Sequence, residues 1–486
     1  MSKINRREFL YDSLLATAAA AVAPSLARAQ EAKPGTASDT IRFGVVGVNG
    51  RGMNHVNDLI GMKDAVVAAI CDVDSTVGER VCSTVEGKTG KRPEFHRDIR
   101  KMLESKEIDA ISIATPNHWH ALGAIWGVQA GKDVYVEKPV SHNVWEGRKI
   151  VEAARKYGKI VQTGTQSRSM EGMRQAIQFL HDGKIGKLKI ARGLCYKPRG
   201  SIGKVDGPQQ PPASVDYDLW SGPAPLKPIM RKQFHYDWHW QWDYGNGDIG
   251  NQGIHQVDIA RWGMGKTTLA KSVVSVGGRF SYVDDGETPN TLITFLDYDD
   301  SQLIFEVRGL PEKKGAKNMD KYQGASIGVV FHCENGYLVC PSYSAGVAYD
   351  LEGKQIAKFD KGGDHFRNFL GAVRSRKHTD LHADIEEGHL SSALCHLANI
   401  SYRLGALKPF DAKEAPFGKN EAAYETFDRV RSHLRANELK LEEVQCRMGK
   451  YLNIHAAHEH FDDNEKEANA MLTRDYRKPY IVPEKV

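Results

Sequence analysis

The feature that most constrains the fold is a glycine-rich turn between an apolar strand and a helix. Residues 41–48 read IRFGVVGV and run into the pattern Gly47-x-Asn49-x-x-Gly52, with Gly50 as an additional glycine. Such a turn exposes backbone amides at the start of a helix, where a pyrophosphate can bind. Asn49 replaces the usual second glycine, and we expect it to tolerate the left-handed conformation. The turn therefore predicts a dinucleotide-binding unit.

A carboxylate at the end of the next predicted strand supports this prediction. Asp72 closes the apolar run 65–72 and lies 20 residues after Gly52. That spacing suits hydrogen bonds to the hydroxyls of an adenosine ribose. Because a carboxylate disfavours a 2′-phosphate and no arginine follows in the residues VDST, the sequence predicts NAD, with NADP less favoured. The alternative is a domain of the same fold that binds no cofactor.

The order of strands and helices predicts an α/β protein with two domains. Up to about residue 165, apolar strands alternate with helices, which is typical of a parallel sheet covered on both faces and indicates a Rossmann domain. After residue 185, longer strands follow one another, which indicates an antiparallel or mixed sheet. The predicted strands are 41–48, 65–72, 108–114, 133–139 and 159–166, then 188–196, 272–282, 290–298 and 301–309. The predicted helices are 52–62, 75–87, 117–130, 143–157 and 383–405.

The N-terminal residues predict export. Arg6 and Arg7 precede a mostly apolar stretch, 10–26, which ends at an A-x-A cleavage signal at 27–29. The paired arginines favour the twin-arginine route, and the alternative is an ordinary secretion signal. The apolar stretch is short and is interrupted by a charge and a proline, so we expect no stable membrane span. We therefore expect a periplasmic or secreted protein.

These patterns divide the chain into five parts. The predicted parts are a signal peptide (1–29), a linker (30–40), a Rossmann NAD-binding domain (41–165), a substrate and oligomerisation domain (166–410) and a C-terminal extension (411–486). We expect the polar extension to wrap a neighbouring surface, in this chain or another. Residues 197–245 lack periodicity, and a long irregular stretch within a compact domain is often functional.

Charge and cysteine content exclude several classes of protein. The formal net charge of +5 over 486 residues is too small to indicate binding to nucleic acid or to a membrane surface. The seven cysteines are odd in number and include no C-x-x-C pair, which argues against a disulfide scaffold or a zinc ribbon. Cys333 and Cys340 are the pair to check for a single disulfide.

Two further strand ends are expected at the crevice where ligands bind in such sheets, and they carry TPNHWH (115–120) and EKP (137–139). Together with the glycine turn and CDVD (71–74), in this order and spacing, these motifs resemble the Gfo/Idh/MocA oxidoreductases. Within that family the exported glucose–fructose oxidoreductase group offers a precedent for an export signal. The resemblance extends through VQTGTQSR, GDIGNQGIHQVDIARW and DIEEGHLSSALCHLANISYRLG, and covers about residues 41–410.

The resemblance implies a second domain with an open, mainly antiparallel sheet, through which the chain forms a homo-oligomer. It also implies hydride transfer between a nicotinamide and a carbon of a small carbohydrate. Lys138 matches the lysine of the family's E-K-P motif, and His255 matches its helix histidine. The cofactor-binding residues on these motifs are Gly47, Asn49, Gly50, Arg51, Gly52, Asp72, Thr115, Asn117, His120, Glu137, Lys138 and Gln166.

One position departs from the family pattern. Many members have an aspartate four residues before the histidine, whereas this chain has Asn251, one helical turn from His255. Asparagine can hydrogen-bond a sugar hydroxyl but holds neither a proton nor a negative charge. Asp248 or Asp258 can take the place of the missing carboxylate. The predicted catalytic residues are therefore Lys138, His255 and Asn251.

A tryptophan-rich segment, 234–248, precedes this helix. Alternating aromatic and polar residues suit a carbohydrate site, because rings pack under sugar faces and carboxylates bind hydroxyls. His235, His239 and Asp243 are also spaced as metal ligands on a helix, but the neighbouring tryptophans favour packing, and we predict no metal. The predicted substrate-binding residues are Arg168, His239, Trp240, Asp243, Asn251 and His255.

Three functional interpretations follow. The first is an exported oxidoreductase for a sugar, cyclitol or glycoside, with NAD bound tightly before export because the cofactor is scarce outside the cytoplasm. The second is a redox-neutral glycoside hydrolase that oxidises, eliminates and reduces again with bound NAD. The third is a non-catalytic carbohydrate-binding protein. The nature of the product separates the first two, and the absence of any spectral change at the nicotinamide marks the third.

Overall fold

The computed structural model describes residues 40–410 and 417–486. The predicted signal peptide and all but the last residue of the predicted linker lie outside the described residues. No helix of the described part is long and apolar enough to span a membrane.

The first sheet has six strands, and every neighbouring pair is parallel. Its strand order, β3-β2-β1-β4-β5-β6, reverses direction at β1, which is the point where such sheets bind ligands. The prediction of a Rossmann fold is therefore confirmed. The strands are β1 (Ile41–Val46), β2 (Ala65–Cys71), β3 (Glu94–His96), β4 (Ala110–Ile113), β5 (Asp133–Val136) and β6 (Val161–Thr163).

Helices cover both faces of this sheet. Strands β4, β5 and β6 are fully buried and β1 is nearly so, which explains why they read as unbroken apolar runs in the sequence, whereas the edge strand β3 is partly exposed. The helices of this part are α1 (Arg51–Ile60), α2 (Ser75–Thr89), α3 (Ile99–Leu103), α4 (His120–Gln129) and α5 (Val144–Lys156). The next helix along the chain, α6 (Glu171–His181), packs in the core of the second domain. Asp74 caps α2 by accepting hydrogen bonds from the amides of Thr76 and Val77, as an N-cap carboxylate does.

The second sheet has twelve strands and is mixed. Strands β7 and β10 pair in parallel, and the remaining pairs are antiparallel, so the predicted, mainly antiparallel sheet is confirmed. The strands are β7 (Leu188–Tyr196), β8 (Ser272–Gly278), β9 (Thr291–Asp297), β10 (Gln302–Arg308), β11 (Ile327–Cys333), β12 (Gly336–Cys340), β13 (Gly346–Tyr349), β14 (Gln355–Phe359), β15 (Ala406–Pro409), β16 (Gln445–Met448), β17 (Leu452–His455) and β18 (His460–Phe461).

Two long buried helices lie on the face of this sheet that is turned toward the first domain. They are α9 and α11, and their apolar residues share one core with β7 and β10. The remaining helices, in chain order, are α7 (Tyr217–Ser221), α8 (Gly247–Asn251), α9 (Gly253–Gly263), α10 (His365–Ser375), α11 (Ile385–Arg403), α12 (Glu421–Ala436) and α13 (Lys466–Ala470). Of these, α10 packs in the core of the first domain, where Phe369 contacts Phe43. Helix α12 covers the opposite face, where Phe427 stacks on Phe410 with ring centroids 4.9 Å apart.

The segment predicted as an extension packs within this chain. Strand β16 pairs with β8, so part of the segment belongs to the second sheet. Farther along, Tyr480, Val482 and Val486 are buried in the core of the first domain. The C-terminal segment therefore contacts both domains of its own chain.

All seven cysteines are free and buried. Cys333 faces Gly336 across the strand pair β11–β12, whereas Cys340 faces Val329. Cys333 and Val329 are four residues apart on one strand, which is about 13 Å, so the two cysteines are too far apart for a disulfide.

Candidate active site

A cavity of about 640 Å³ lies along the carboxyl edge of the first sheet. Its walls are the glycine turn, the ends of β2, β4 and β5, and residues of the second domain around α8 and α9. Volumes of about 300–1,000 Å³ are usual for small-molecule sites. The predicted cofactor residues that line it are Gly47, Asn49, Gly50, Arg51, Asp72, Thr115, Asn117, His120, Glu137, Lys138 and Gln166.

The glycine turn requires its glycines at two places. Gly47 has a φ of +77°, and a Cβ there would lie 2.8 Å from the Thr115 amide nitrogen. Gly52 lies behind the cavity wall, where a Cβ would collide with the Gly47 carbonyl oxygen. The expectation for Asn49 is wrong: Gly47, not Asn49, takes the left-handed conformation, and the Asn49 side chain accepts a hydrogen bond from Arg80. Asn49 is tolerated because the backbone at position 49 does not adopt the left-handed conformation.

Asp72 fixes the shape of this turn. Its carboxylate accepts hydrogen bonds from the Val48 amide at 2.8 Å and the Asp74 amide at 3.0 Å. Burial raises the pKa of Asp72, and the two amide hydrogen bonds oppose that shift. A carboxylate has about four acceptor positions, so two remain for a ligand at the cavity.

The turn after β4 is tied to the turn after β5 by His120. Its ring nitrogens lie 2.6 Å from the Pro139 carbonyl oxygen and 2.8 Å from that of Thr115. Asn117 donates a hydrogen bond to Asn246 at 2.9 Å, which connects the same turn to the second domain. These contacts hold the backbone that forms the middle of the cavity wall.

Glu137 is the buried anion at the end of β5. It accepts a hydrogen bond from Arg51 at 2.8 Å, contacts the His55 ring at 3.0 Å and accepts a longer one from Gln166 at 3.3 Å. Burial alone would raise its pKa, but the hydrogen bond with His55 and the charge of Arg51 hold it well below the usual range. Glu137 is therefore ionised and paired, and it anchors Arg51 beside the glycine turn.

Lys138, Asn251 and His255 meet at the inner end of the cavity. The Lys138 ammonium donates to the Asn251 backbone carbonyl at 2.7 Å, which leaves two of its N–H groups for other acceptors. Burial lowers the pKa of Lys138, against the charge of Glu137. Burial also lowers the pKa of His255 well below its usual range, and the charge of Lys138 lowers it further. The imidazole is therefore neutral at neutral pH and can accept a proton.

Neither aspartate proposed as a replacement partner reaches His255. Asp248 forms an ion pair with Arg199 at 2.7 Å, and Asp258 binds Arg168 at 2.8 Å. Within residues 40–410 and 417–486, no group hydrogen-bonds to the His255 ring, which packs against Tyr343 with centroids 4.6 Å apart. Its proton-accepting nitrogens are therefore available to a ligand.

Three of the predicted substrate residues do not line the cavity. Arg168 is 4% exposed and is bound by Asp258 and Glu387. Trp240 is buried against the Arg199 guanidinium, 5.0 Å from it, and Asp243 pairs with Lys227 at 2.7 Å. Each of these side chains has a partner elsewhere in the fold, which the local sequence does not reveal.

The histidines of the tryptophan-rich segment have separate partners. His239 lines the cavity and stacks on Trp238 at 3.7 Å, and burial lowers its pKa to about 3. His235 contacts the Asp74 carboxylate at 3.0 Å. With Asp243 bound to Lys227, the described structure does not bring the three candidate metal ligands together.

The irregular segment 197–245 covers the end of the cavity beside Asp72, which is the end predicted for the adenosine of a dinucleotide. The Asp216 amide donates to the Val73 carbonyl and the Ser75 amide to the Ser214 carbonyl, each at 3.0 Å. Trp119 donates to the Trp220 carbonyl at 3.0 Å. This second-domain segment is therefore bonded directly to the residues after β2 and β4, beside Asp72.

Several lining residues were missed by sequence reasoning. Lys197 directly follows β7, a strand-end position that could have drawn attention to it. Gln252 adjoins Asn251 in a motif already singled out. Tyr343 comes from the loop between β12 and β13, and no local signal marks it.

The fold and the cavity define a two-domain protein of the dinucleotide-binding class. The family model described as oxidoreductase family, NAD-binding Rossmann fold, matches residues 41–165. The model described as oxidoreductase family, C-terminal alpha/beta domain, matches residues 189–437, which is more than half of the chain. The chain belongs to the Gfo/Idh/MocA family.

Similarity to individual relatives covers shorter stretches. A glycosyl hydrolase family 109 protein of Shewanella putrefaciens is 32% identical over 125 residues, which are 25% of this chain and 27% of that protein. The inositol 2-dehydrogenase/D-chiro-inositol 3-dehydrogenase of Shouchella clausii is 28% identical over 155 residues, 32% of this chain and 44% of that protein. The chain thus matches less than half the length of these curated relatives.

The fold also occurs among solved structures. The WlbA dehydrogenase of Bordetella pertussis, solved in complex with NADH and UDP-GlcNAcA, superposes with a TM-score of 0.55 at 20% identity. The match covers 75% of this chain and 97% of that one.

Proposed function

We propose that this protein is an exported NAD-dependent oxidoreductase that transfers a hydride between a tightly bound nicotinamide cofactor and a carbon of a sugar, cyclitol or glycoside. The observation that carries the proposal is the meeting of Lys138, Asn251 and His255 in the cavity that the glycine turn also lines. An ammonium donor and a neutral imidazole lie together where the two domains meet.

The residues of the cavity fit a dinucleotide. Helix α1 has no side-chain cap at its N-terminus, and a Cβ on Gly50 would meet nothing within 4 Å, so a phosphate can approach the first turn. The Thr115 hydroxyl is buried and has no hydrogen-bond partner within the described residues. Asp72 supports NAD in preference to NADP, because its carboxylate would repel a 2′-phosphate.

Two side chains supply the chemistry that an alcohol oxidation needs from the protein. NAD, when bound, accepts a hydride from the carbon that carries the hydroxyl group. His255 accepts the hydroxyl proton, which a neutral imidazole with free ring nitrogens can do. Lys138 donates a hydrogen bond to the substrate oxygen and stabilises its negative charge as the proton leaves. Asn251 offers its side-chain amide to a neighbouring hydroxyl.

The covering segment supports tight binding. Its hydrogen bonds to the residues after β2 and β4 hold it beside Asp72, where the adenosine of a bound nucleotide would lie. A nucleotide held in this way suits a protein exported in its folded state, and the paired arginines at residues 6 and 7 support that route.

A redox-neutral glycoside hydrolase is the second candidate. The relatives named as glycosyl hydrolase family 109 proteins favour it. The same cavity serves this reaction, since it also begins with oxidation of a hydroxyl group and regenerates the cofactor in place. The difference lies in the product.

The test starts with the protein purified without added nucleotide. Acid treatment should release about one equivalent of NAD, which chromatography identifies. Sugars and glycosides are then screened for a change in nicotinamide absorbance and for product. A keto-sugar or lactone supports the oxidoreductase, and a free sugar without net redox change supports the hydrolase. A protein that carries no nucleotide and binds none when it is added contradicts both.

We also propose that the chain forms a homo-oligomer through the outer face of the second sheet. Helix α12 covers the β8–β10 part of the outer face of the second sheet. The β11–β13 part, where Tyr337 stacks on Tyr349 at 5.0 Å, is the part of that face we propose for a second copy. Light scattering of a Tyr337→Glu variant and of the wild type tests this assignment.

A further inference from the structure

The inner end of the cavity has more positive charge than its carboxylates balance. Arg51 is paired with Glu137, and Arg199 is paired with Asp248. Lys138 and Lys197 also lie here, and in the described structure neither forms an ion pair with a carboxylate. Two cations of the cavity wall therefore have no counterion from the protein.

The cofactor does not balance this charge. Its phosphates belong at the glycine turn after β1, and β4 separates β1 from β5, so the turn lies about 10 Å from the strand that ends at Lys138. The nicotinamide ring is itself positively charged in its oxidised form. The missing anion therefore belongs to the other ligand of the cavity.

Lys197 and Tyr343 are joined by one buried amide. Lys197 donates to the Gln252 Oε1 atom at 2.9 Å, and Gln252 Nε2 donates to the Tyr343 hydroxyl at 2.7 Å. Since an ammonium group only donates, Oε1 must face Lys197, and this fixes the amide orientation. Gln252 Nε2 also donates to the Gln256 side-chain oxygen at 3.4 Å, so both N–H donors of the amide are used.

This arrangement leaves a set of donors with no acceptor. Lys197 keeps two N–H groups, and the Tyr343 hydroxyl, which already accepts a hydrogen bond, keeps its proton to donate. The two groups sit at opposite ends of one amide and both line the cavity. Such a set suits the two oxygens of a planar carboxylate. A lysine also binds phosphate, so the binding test below includes a sugar phosphate.

We propose that the substrate is a sugar acid and that Lys197 and Tyr343 bind its carboxylate. This inference rests on the proposed function, which places the substrate in the cavity, and it adds the chemical class of that substrate. Lys138 and His255 then act on a hydroxyl of the same ring, while the carboxylate holds the ring at the Lys197 side.

Binding to the nucleotide-loaded protein tests the proposal without relying on turnover. Calorimetry compares D-glucuronate with D-glucose, D-galacturonate with D-galactose, and the methyl glycosides of each. At least one acid should bind roughly tenfold or more tightly than its neutral counterpart. In Lys197→Met this ratio should fall by roughly 10- to 100-fold, and in Tyr343→Phe by a smaller factor, since hydrogen bonds to charged groups are the stronger ones.

Lys204→Met is the matched control, because Lys204 is an exposed lysine of the same segment outside the cavity, and it should keep the wild-type ratio. The proposal is overturned if no acid binds, if neutral sugars bind as tightly in every pair, or if Lys197→Met keeps the ratio. Tighter binding of D-glucose 6-phosphate than of any acid also overturns it. An acid that binds without any hydride transfer contradicts the proposed function and leaves this inference standing.

Discussion

Two charged clusters take most of their residues from the family motifs, and they differ in how completely their side chains are paired. In the first, Arg168 binds Asp258 at 2.8 Å and Glu387 at 3.0 Å, Arg261 binds Glu387, and Ser391 donates to Asp258 at 2.7 Å. The second contains Lys138, Lys197 and His255, whose free donors and ring nitrogens face the cavity. Every charged side chain of the first cluster therefore has an oppositely charged partner within the fold.

This difference separates structural from functional residues more reliably than position in a motif does. A buried charge that is fully hydrogen-bonded holds elements in register, and here it fixes α9 against α11. A charge left without a counterion inside a cavity costs stability and is retained where a ligand uses it. We therefore expect changes in the first cluster to affect folding and changes in the second to affect reaction.

Within the second cluster, a large loss of rate is expected for His255→Ala. Loss of the proton acceptor should lower the rate of nicotinamide reduction by roughly two to four orders of magnitude. Because the pKa of His255 is lowered, the wild-type rate should persist as the pH falls through about 6.5 and decline only at lower pH. Stopped-flow absorbance across the pH range measures the rate and its decline at low pH. The variant should lose this low-pH limb of the rate profile. His181→Ala, an exposed histidine on α6, is the control; full rate in His255→Ala would rule out the assignment.

Arg168→Met should give the largest loss of stability. It leaves Asp258, which is fully buried, without its guanidinium partner, at a cost of about 3–5 kcal/mol in the free energy of unfolding. Urea denaturation measures the change. Arg174→Met, which removes an exposed pair with Glu171, should cost less than about 1 kcal/mol. Equal losses in the two variants would contradict the structural role of the first cluster.

Asp72→Ala should have a smaller effect, confined to the nucleotide. The variant loses the acceptor that holds the Val48 and Asp74 amides as well as the ribose contact, so NAD affinity should fall roughly tenfold. The preference for NAD over NADP should narrow, because the repulsion of a 2′-phosphate is removed. Titration of both nucleotides into the nucleotide-free protein measures this preference. An unchanged ratio of NAD to NADP affinity would show that Asp72 does not contact the ribose.

Asn251→Asp should produce the smallest and most specific change. A carboxylate one helical turn from His255 favours the imidazolium form, so the histidine pKa should rise by about one unit. The low-pH limb of the rate then moves to higher pH by the same amount. A raised KM with the low-pH decline left in place would show that the side chain at position 251 acts on the substrate hydroxyl alone and has no influence on His255.

The first domain could be predicted from the sequence because buried parallel strands are continuous apolar runs. In addition, a glycine-rich turn between a strand and a helix is found in few other folds. Lys138 and His255 were readable because their motifs place them at a strand end and on a helix. Whether Arg168 or Asp258 faces the cavity could not be predicted from the sequence, because it depends on which oppositely charged side chain lies next to it in the folded protein. Tyr343 and the pairing of β16 with β8 were not readable for the same reason, because they depend on contacts between distant parts of the chain.

The central claim, that unpaired groups of the cavity act in the reaction and not in folding, is tested most directly by Lys138→Met. Methionine keeps most of the side-chain volume and removes a half-buried cation that forms no ion pair with a carboxylate among the described residues. The rate of nicotinamide reduction and the unfolding free energy are measured on the same preparation. We predict that the rate falls by at least about a thousandfold while stability stays within about 1 kcal/mol of wild type. A variant that keeps its rate, or that loses stability to the extent of Arg168→Met, would contradict the account.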